Sequence, residues 1–326
     1  VIDFRYHLVS IVAIFLALTV GIVLGSTVLE TAFYKSAEET TAQLRQWNSE
    51  NRDKITALQA REDGNASFVT AHTADLVRGQ LPGERFVLIE APGAPAGRRD
   101  DIVKVLGDSG AVYTGRVSLT EKFLAADQTN VVDQLASTVA PAGTRFADGA
   151  SPYEKAAAVL AGAVVTGDRG QAGREDPAAV SVLEAFQTGG FLAMGGSPAQ
   201  RATVAIVVSP DQAYEGEDAE AQTAAMVSLA AGLDSAGLGT VMVGTTAASG
   251  TGGVISALHD AGEAASNVST VDTVDMPAGR VTVVYALREQ LAGRSGAYGV
   301  GSDITAFAPP AAPGISPSPK PMASGG

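Results

Sequence analysis

The sequence predicts an α/β protein: an N-terminal transmembrane helix continuing into a coiled-coil-like helix, then a doubly wound, mostly parallel Rossmann-like sheet domain. Three observations predict it. Leu8 to Leu29 is a run of 22 residues without a charge. Glu30 to Glu62 contains no Gly or Pro and mixes six acidic with five basic side chains. From Ala66 to about Phe307, short runs rich in Val and Ile alternate with amphipathic stretches, the pattern of strands covered by helices on both faces.

The anchor comes first, within residues 1–29. As a helix it would extend ~33 Å, enough for a hydrocarbon core ~30 Å thick. A cleaved signal sequence has a shorter apolar region and a small-residue cleavage site, which the exit Val23-Leu24-Gly25-Ser26 does not supply. Arg5 precedes the run and Glu30 follows it. That bias predicts a cytoplasmic N-terminus and an extracytoplasmic remainder. A cysteine at Ser109 would then label from outside.

Residues 30–64 read as an exposed helix, which Asp63-Gly64-Asn65 should end. One seam takes Leu44, Trp47, Asn51 and Leu58; another takes Thr41, Leu44, Asn51, Ile55 and Leu58. Both alternate threes and fours, as helix pairing requires, and Asn51 is a polar residue in either seam that would fix register. The alternative is a solitary spacer. The predicted partner interface is therefore Leu44, Trp47, Asn51, Ile55 and Leu58.

Within the body, residues 65–307, strands are expected at Arg85–Ala91, Ala111–Val117, Gly190–Met194, Thr203–Val208, Thr240–Gly244, Val268–Thr273 and Val281–Tyr285. Helices are expected near Arg99–Asp108, Thr120–Ser137, Pro152–Val165, Pro177–Gln187, Asp218–Ala236 and Val254–Ala265. The net charge of −13 falls almost entirely on this body. Residues 308–326 hold six of the fifteen prolines and read as an extended, disordered tail.

Composition removes several chemistries. An acidic chain is a poor general nucleic-acid binder. With no cysteine and three histidines, thiolate sites and a cysteine nucleophile are excluded, and imidazole chemistry has little material. Gly195-Gly196-Ser197-Pro198-Ala199 resembles a nucleophile elbow, but Pro198 lacks the N–H that the residue after the serine must supply. Ser249-Gly250-Thr251-Gly252-Gly253 opens a helix after a strand, yet Ile255 replaces the third glycine and no Walker lysine follows. Asp100-Asp101 and Glu38-Glu39 read as solvated faces or helix starts, and His72 is solitary. His259 suits the end of a helix, where a cation is favourable. The five methionines form no short copper motif. Only Met194 and Met242, on strands that folding could make neighbours, are weak candidates for a metal.

The anchor Val9-Ser10-Ile11-Val12-Ala13-Ile14-Phe15-Leu16-Ala17-Leu18, continuing through Gly21 to Gly25-Ser26, resembles the start of the mycobacterial copper transport protein B (MctB) family, which includes the corynebacterial SteB. So do Val117-Ser118-Leu119-Thr120 with Phe123, the stretch Ser269-Thr270-Val271-Asp272 through Pro277, Gly279 and Arg280 to Leu287, and Gly296-Ala297-Tyr298-Gly299. None of these pieces is a ligand set or a catalytic motif. The resemblance implies copper transport or homeostasis, with family members described as outer-membrane channels. It implies alternatively a septal scaffold acting with a SteA-like membrane partner in cell separation and control of peptidoglycan hydrolysis. A membrane barrel needs many closed strands, which this chain does not offer. The expectation is thus a non-enzymatic, single-pass envelope protein, as a homodimer or a hetero-coiled-coil with a SteA-like protein. No cofactor is expected beyond weak copper binding, and no nucleic-acid partner. A phosphorylated ligand at the Gly250 loop is a distant alternative.

Overall fold

A computed structural model describes residues 4–310, apart from the side chains of residues 26–39 and 264. Contacts divide the chain into two units, residues 1–65 and 66–326. In the first, helix α1 (Phe4–Val77) begins. Its stretch Phe4–Gly25 is long and apolar enough to cross a membrane, and none of its residues is buried. Beyond it Leu44, Trp47, Ile55 and Leu58 are 53%, 60%, 53% and 58% exposed, and Asn51 is half-buried.

Asp63-Gly64-Asn65 does not end the helix. One interior glycine costs only ~1 kcal/mol, and the turns that follow are held by the body. Val77 is fully buried and Val69 packs against the same core, and Tyr285 donates its hydroxyl proton to the Leu76 carbonyl over 2.8 Å.

The body carries β1 (Arg85–Glu90), α2 (Gly97–Asp108), β2 (Val112–Leu119), α3 (Glu121–Leu124), α4 (Thr129–Val139), α5 (Pro152–Val164) and α6 (Pro177–Thr188). Then come β3 (Leu192–Gly196), β4 (Val204–Val208), α7 (Ala219–Ala236), β5 (Thr240–Val243), α8 (Val254–Asp260), β6 (Ser269–Val271), α9 (Pro277–Gln290) and β7 (Ala297–Tyr298). The seven strands run in the order β3-β2-β1-β4-β5-β6-β7. Every pairing is parallel except β2 with β3. Order reverses between β1 and β4, which defines a doubly wound sheet with its switch point there.

Alternation along β1 shows why both faces are apolar. Val87 and Ile89 enter a core shared with α4 to α8, while Phe86 and Leu88 enter a second core with α2, α9 and the end of α1. A strand buried on both sides loses its polar period, as expected for a covered parallel sheet.

Three further expectations need correction. Val281–Tyr285 lies inside α9, not in a strand. That helix is buried nearly all round, so its Val-rich run has no polar face to betray a helical period. Pro277 sits in its first turn, and an added Cβ at Gly279 would lie 1.8 Å from the Thr273 carbonyl oxygen. Only glycine permits that approach of helix to strand end. The expected helix Thr120–Ser137 is interrupted at Ala125, whose backbone is extended. Ser109 is fully buried and donates to the Leu106 carbonyl over 2.6 Å, so it cannot report topology. Residues 311–326 of the expected tail, with Met322, lie outside the described residues.

Candidate functional site: the crevice at the switch point

In doubly wound sheets, ligands bind outside the carboxyl ends of the strands where the order reverses. Here that place lies between the loop after β1 and the loop after β4. Ala91 N–H donates to the Val208 carbonyl over 3.0 Å, and the Tyr214 hydroxyl donates to the Pro92 carbonyl over 3.2 Å. Arg98 forms a two-point ion pair with Asp211, the second contact at 2.9 Å. These bonds fasten the two loops around a cavity of about 570 Å³, lined by Pro92, Gly93, Leu124, Tyr214 and the carboxylates Glu121 and Glu215.

This crevice is not built for a dinucleotide. The first βα turn is Ala91-Pro92-Gly93-Ala94-Pro95-Ala96, and two prolines remove N–H groups that would face a pyrophosphate. The N–H groups of Arg98 and Arg99 already donate to Pro95 and Ala96 carbonyls. The Gly250 loop fails likewise. Ile255 and Ser256 N–H both point at the Ala248 carbonyl, at 3.0 and 3.4 Å, so the start of α8 has spent the donors an anion needs.

Beside the crevice, Glu90 ends β1 almost fully buried. It accepts from Arg99 at 2.6 and 3.1 Å, from Arg116 at 3.3 Å, and from the Ser118 hydroxyl. Burial by itself would raise its carboxyl pKa. The hydrogen bonds from Arg99 and Ser118, with the two guanidinium charges, outweigh burial and hold it below the ordinary carboxylate value. A carboxylate so engaged is a structural anchor and a poor general base. Sequence reasoning passed over Glu90, since its partners come from another strand and a helix.

The candidate metal ligands do not converge. Met194 lies on edge strand β3 and Met242 on β5, with β2, β1 and β4 between them. Three intervening strands at ~4.8 Å spacing separate them too far for one ion. Met242 and Met226 are fully buried in the core. His259 bonds to the Thr270 hydroxyl at 2.8 Å. Burial lowers its pKa, while nearby Asp303 and other carboxylates oppose that. His72 packs on the Phe68 ring at 4.6 Å. Among the described residues no group of three or more His, Cys, Asp or Glu side chains could hold a metal ion.

Two of the stretches that carried the family resemblance, around Asp272 and Tyr298, form a structural lock at the β6–β7 edge. Fully buried Asp272 accepts from Ser249 Oγ at 2.9 Å, Val300 N–H at 3.0 Å and Gly301 N–H at 2.8 Å. Gly299 has φ +133°, and a Cβ there would fall 1.6 Å from Asp272 Oδ1. Tyr298 donates to buried Glu289, which also takes Arg294 Nε at 3.2 Å. Burial, then the Glu289 carboxylate, raises the Tyr298 pKa, so the phenol stays a proton donor.

These features define a class: an apolar N-terminal helix of membrane-spanning length joined to a doubly wound α/β body with an acidic switch-point crevice. The chain belongs to the family described as "Copper transport outer membrane protein, MctB", whose model matches residues 1–309. It is similar to the Copper transporter MctB of Mycobacterium tuberculosis H37Rv, at 28% identity over 316 residues, 92% of this chain and 96% of the relative. It is also similar to the Copper transporter MctB of Mycobacterium leprae, at 29% identity over 321 residues, 95% of this chain and 99% of the relative.

Proposed function

We propose that this chain serves copper homeostasis in the cell envelope as a non-enzymatic, single-pass membrane protein. Its short N-terminal stub lies in the cytoplasm and its body outside, and it acts on copper without a preformed tight site in the body. The observation that carries the process is membership of the MctB family over residues 1–309. The dispersal of Met194, Met226, Met242 and His259 supports the indirect mode, because a selective copper site needs several soft or imidazole donors on one ion. A competition titration of the full chain in detergent against a Cu(I) chelator of known affinity tests it. Weak binding without fixed stoichiometry is expected, unchanged in a Met194→Leu, Met242→Leu double variant. Saturable one-to-one binding lost in that variant would make the copper role direct.

A second reading has its own support. Leu44, Trp47, Ile55 and Leu58 are large apolar side chains left in solvent at helix-pairing spacing. They suit a coiled-coil scaffold, as a homodimer or with a SteA-like membrane partner at the septum.

A further inference from the structure

The crevice continues on the far side of Tyr214. A second cavity of about 530 Å³ lies between α7 and α8, and Tyr214 lines both. The loops abut there, since a Cβ on Gly252 would sit 3.7 Å from Ala213 Cβ. Each cavity is open, with a floor of apolar side chains such as Leu124 in the first and Val227 in the second.

The rim carries the chemical information. Glu121 and Glu215 edge the first cavity, Glu220 and Asp260 the second. All four are exposed. No lysine or arginine lines either cavity. Asp211, the remaining acid of the first cavity, is paired with Arg98. Among the described residues the four rim carboxylates have no such partner. An apolar floor under unpaired acids complements a side chain with an aliphatic stem and a cationic head.

We propose that the two cavities form one docking groove for an extended segment of a partner protein that carries lysine or arginine side chains between apolar residues. The apolar residues rest on the floor on either side of Tyr214, and the cations reach Glu121 and Glu215 at one end and Glu220 and Asp260 at the other. Two open cavities in series fit a segment of chain better than one compact ligand, and the groove needs nothing from α1.

The test is fluorescence anisotropy of the full chain in detergent with a labelled probe, acetyl-Lys-Leu-Lys-Ala-Leu-Lys-amide, at low salt. Saturable binding is expected, weakening as salt rises. Glu220→Gln with Asp260→Asn should weaken it about tenfold, a change of ~1.4 kcal/mol in binding free energy. Ala257→Trp, which fills the second cavity, should weaken it at least as much at unchanged carboxylate charge. Glu175→Gln with Glu184→Gln removes equal charge from exposed positions on another part of the body and should leave binding within about twofold. Equal loss in both charge-removing variants would mean that the probe reads only the protein's overall negative charge, and would overturn the groove. Absence of saturable binding would overturn it too.

Discussion

At the scale of single residues, the folded body depends on buried charges whose partners lie on other elements. Glu90 accepts from a helix residue, Arg99, and two β2 residues, Arg116 and Ser118. Glu90→Gln removes the anion and leaves two guanidinium groups facing each other. A loss of about 1–3 kcal/mol is expected, toward the lower end because both arginines keep contact with water. The pH dependence follows from the sign of the shift. A carboxyl held below its ordinary pKa contributes stability above the unfolded value, and that stability is lost as pH falls through the folded value. The gap in melting temperature between the natural chain and Glu90→Gln should therefore be full near neutrality and close in acid, below the usual carboxylate range. A gap independent of pH would show that packing, not charge, accounts for Glu90.

At the scale of elements, periodicity served where one face met water and failed where none did. β1, β4 and β5 were legible from their Val and Ile runs and the breakers around them. α9 was not, because burial nearly all round leaves a Val-rich helix looking like an inner strand. The two-residue β7 is too short for any pattern, and Asp272 and its loop hold it in place. The continuation of α1 past its apolar stretch is legible, but its pairing is a separate matter. If a partner helix covers Asn51, replacing that polar residue should stabilise the association and relax its register. Asn51→Leu is expected to raise the melting temperature of the full chain in detergent and to broaden its mass distribution in sedimentation. A monomer before and after the change would make this stretch a spacer.

For the whole molecule, the arrangement across the membrane is the property most open to direct measurement. The proposed orientation, with Phe4–Gly25 as the span and Arg5 inside, would place the body outside. Thr144 lies exposed in the loop between α4 and α5, so Thr144→Cys should react with an impermeant thiol reagent on cells with a permeabilised envelope and an intact inner membrane. Labelling only after lysis would reverse the orientation. The sequence by itself determined the apolar helix, the α/β class and the lack of cysteine, since each is a matter of composition or local period. Only the tertiary structure decided that Met194 and Met242 have three strands between them, that Glu90 is neutralised by Arg99 and Arg116, and that four unpaired carboxylates edge the two cavities beside Tyr214. Strand order and the meeting of loops are set by long-range packing, which brings Tyr214 to Pro92 and Asp211 to Arg98 across more than 100 positions and leaves no trace in any local window.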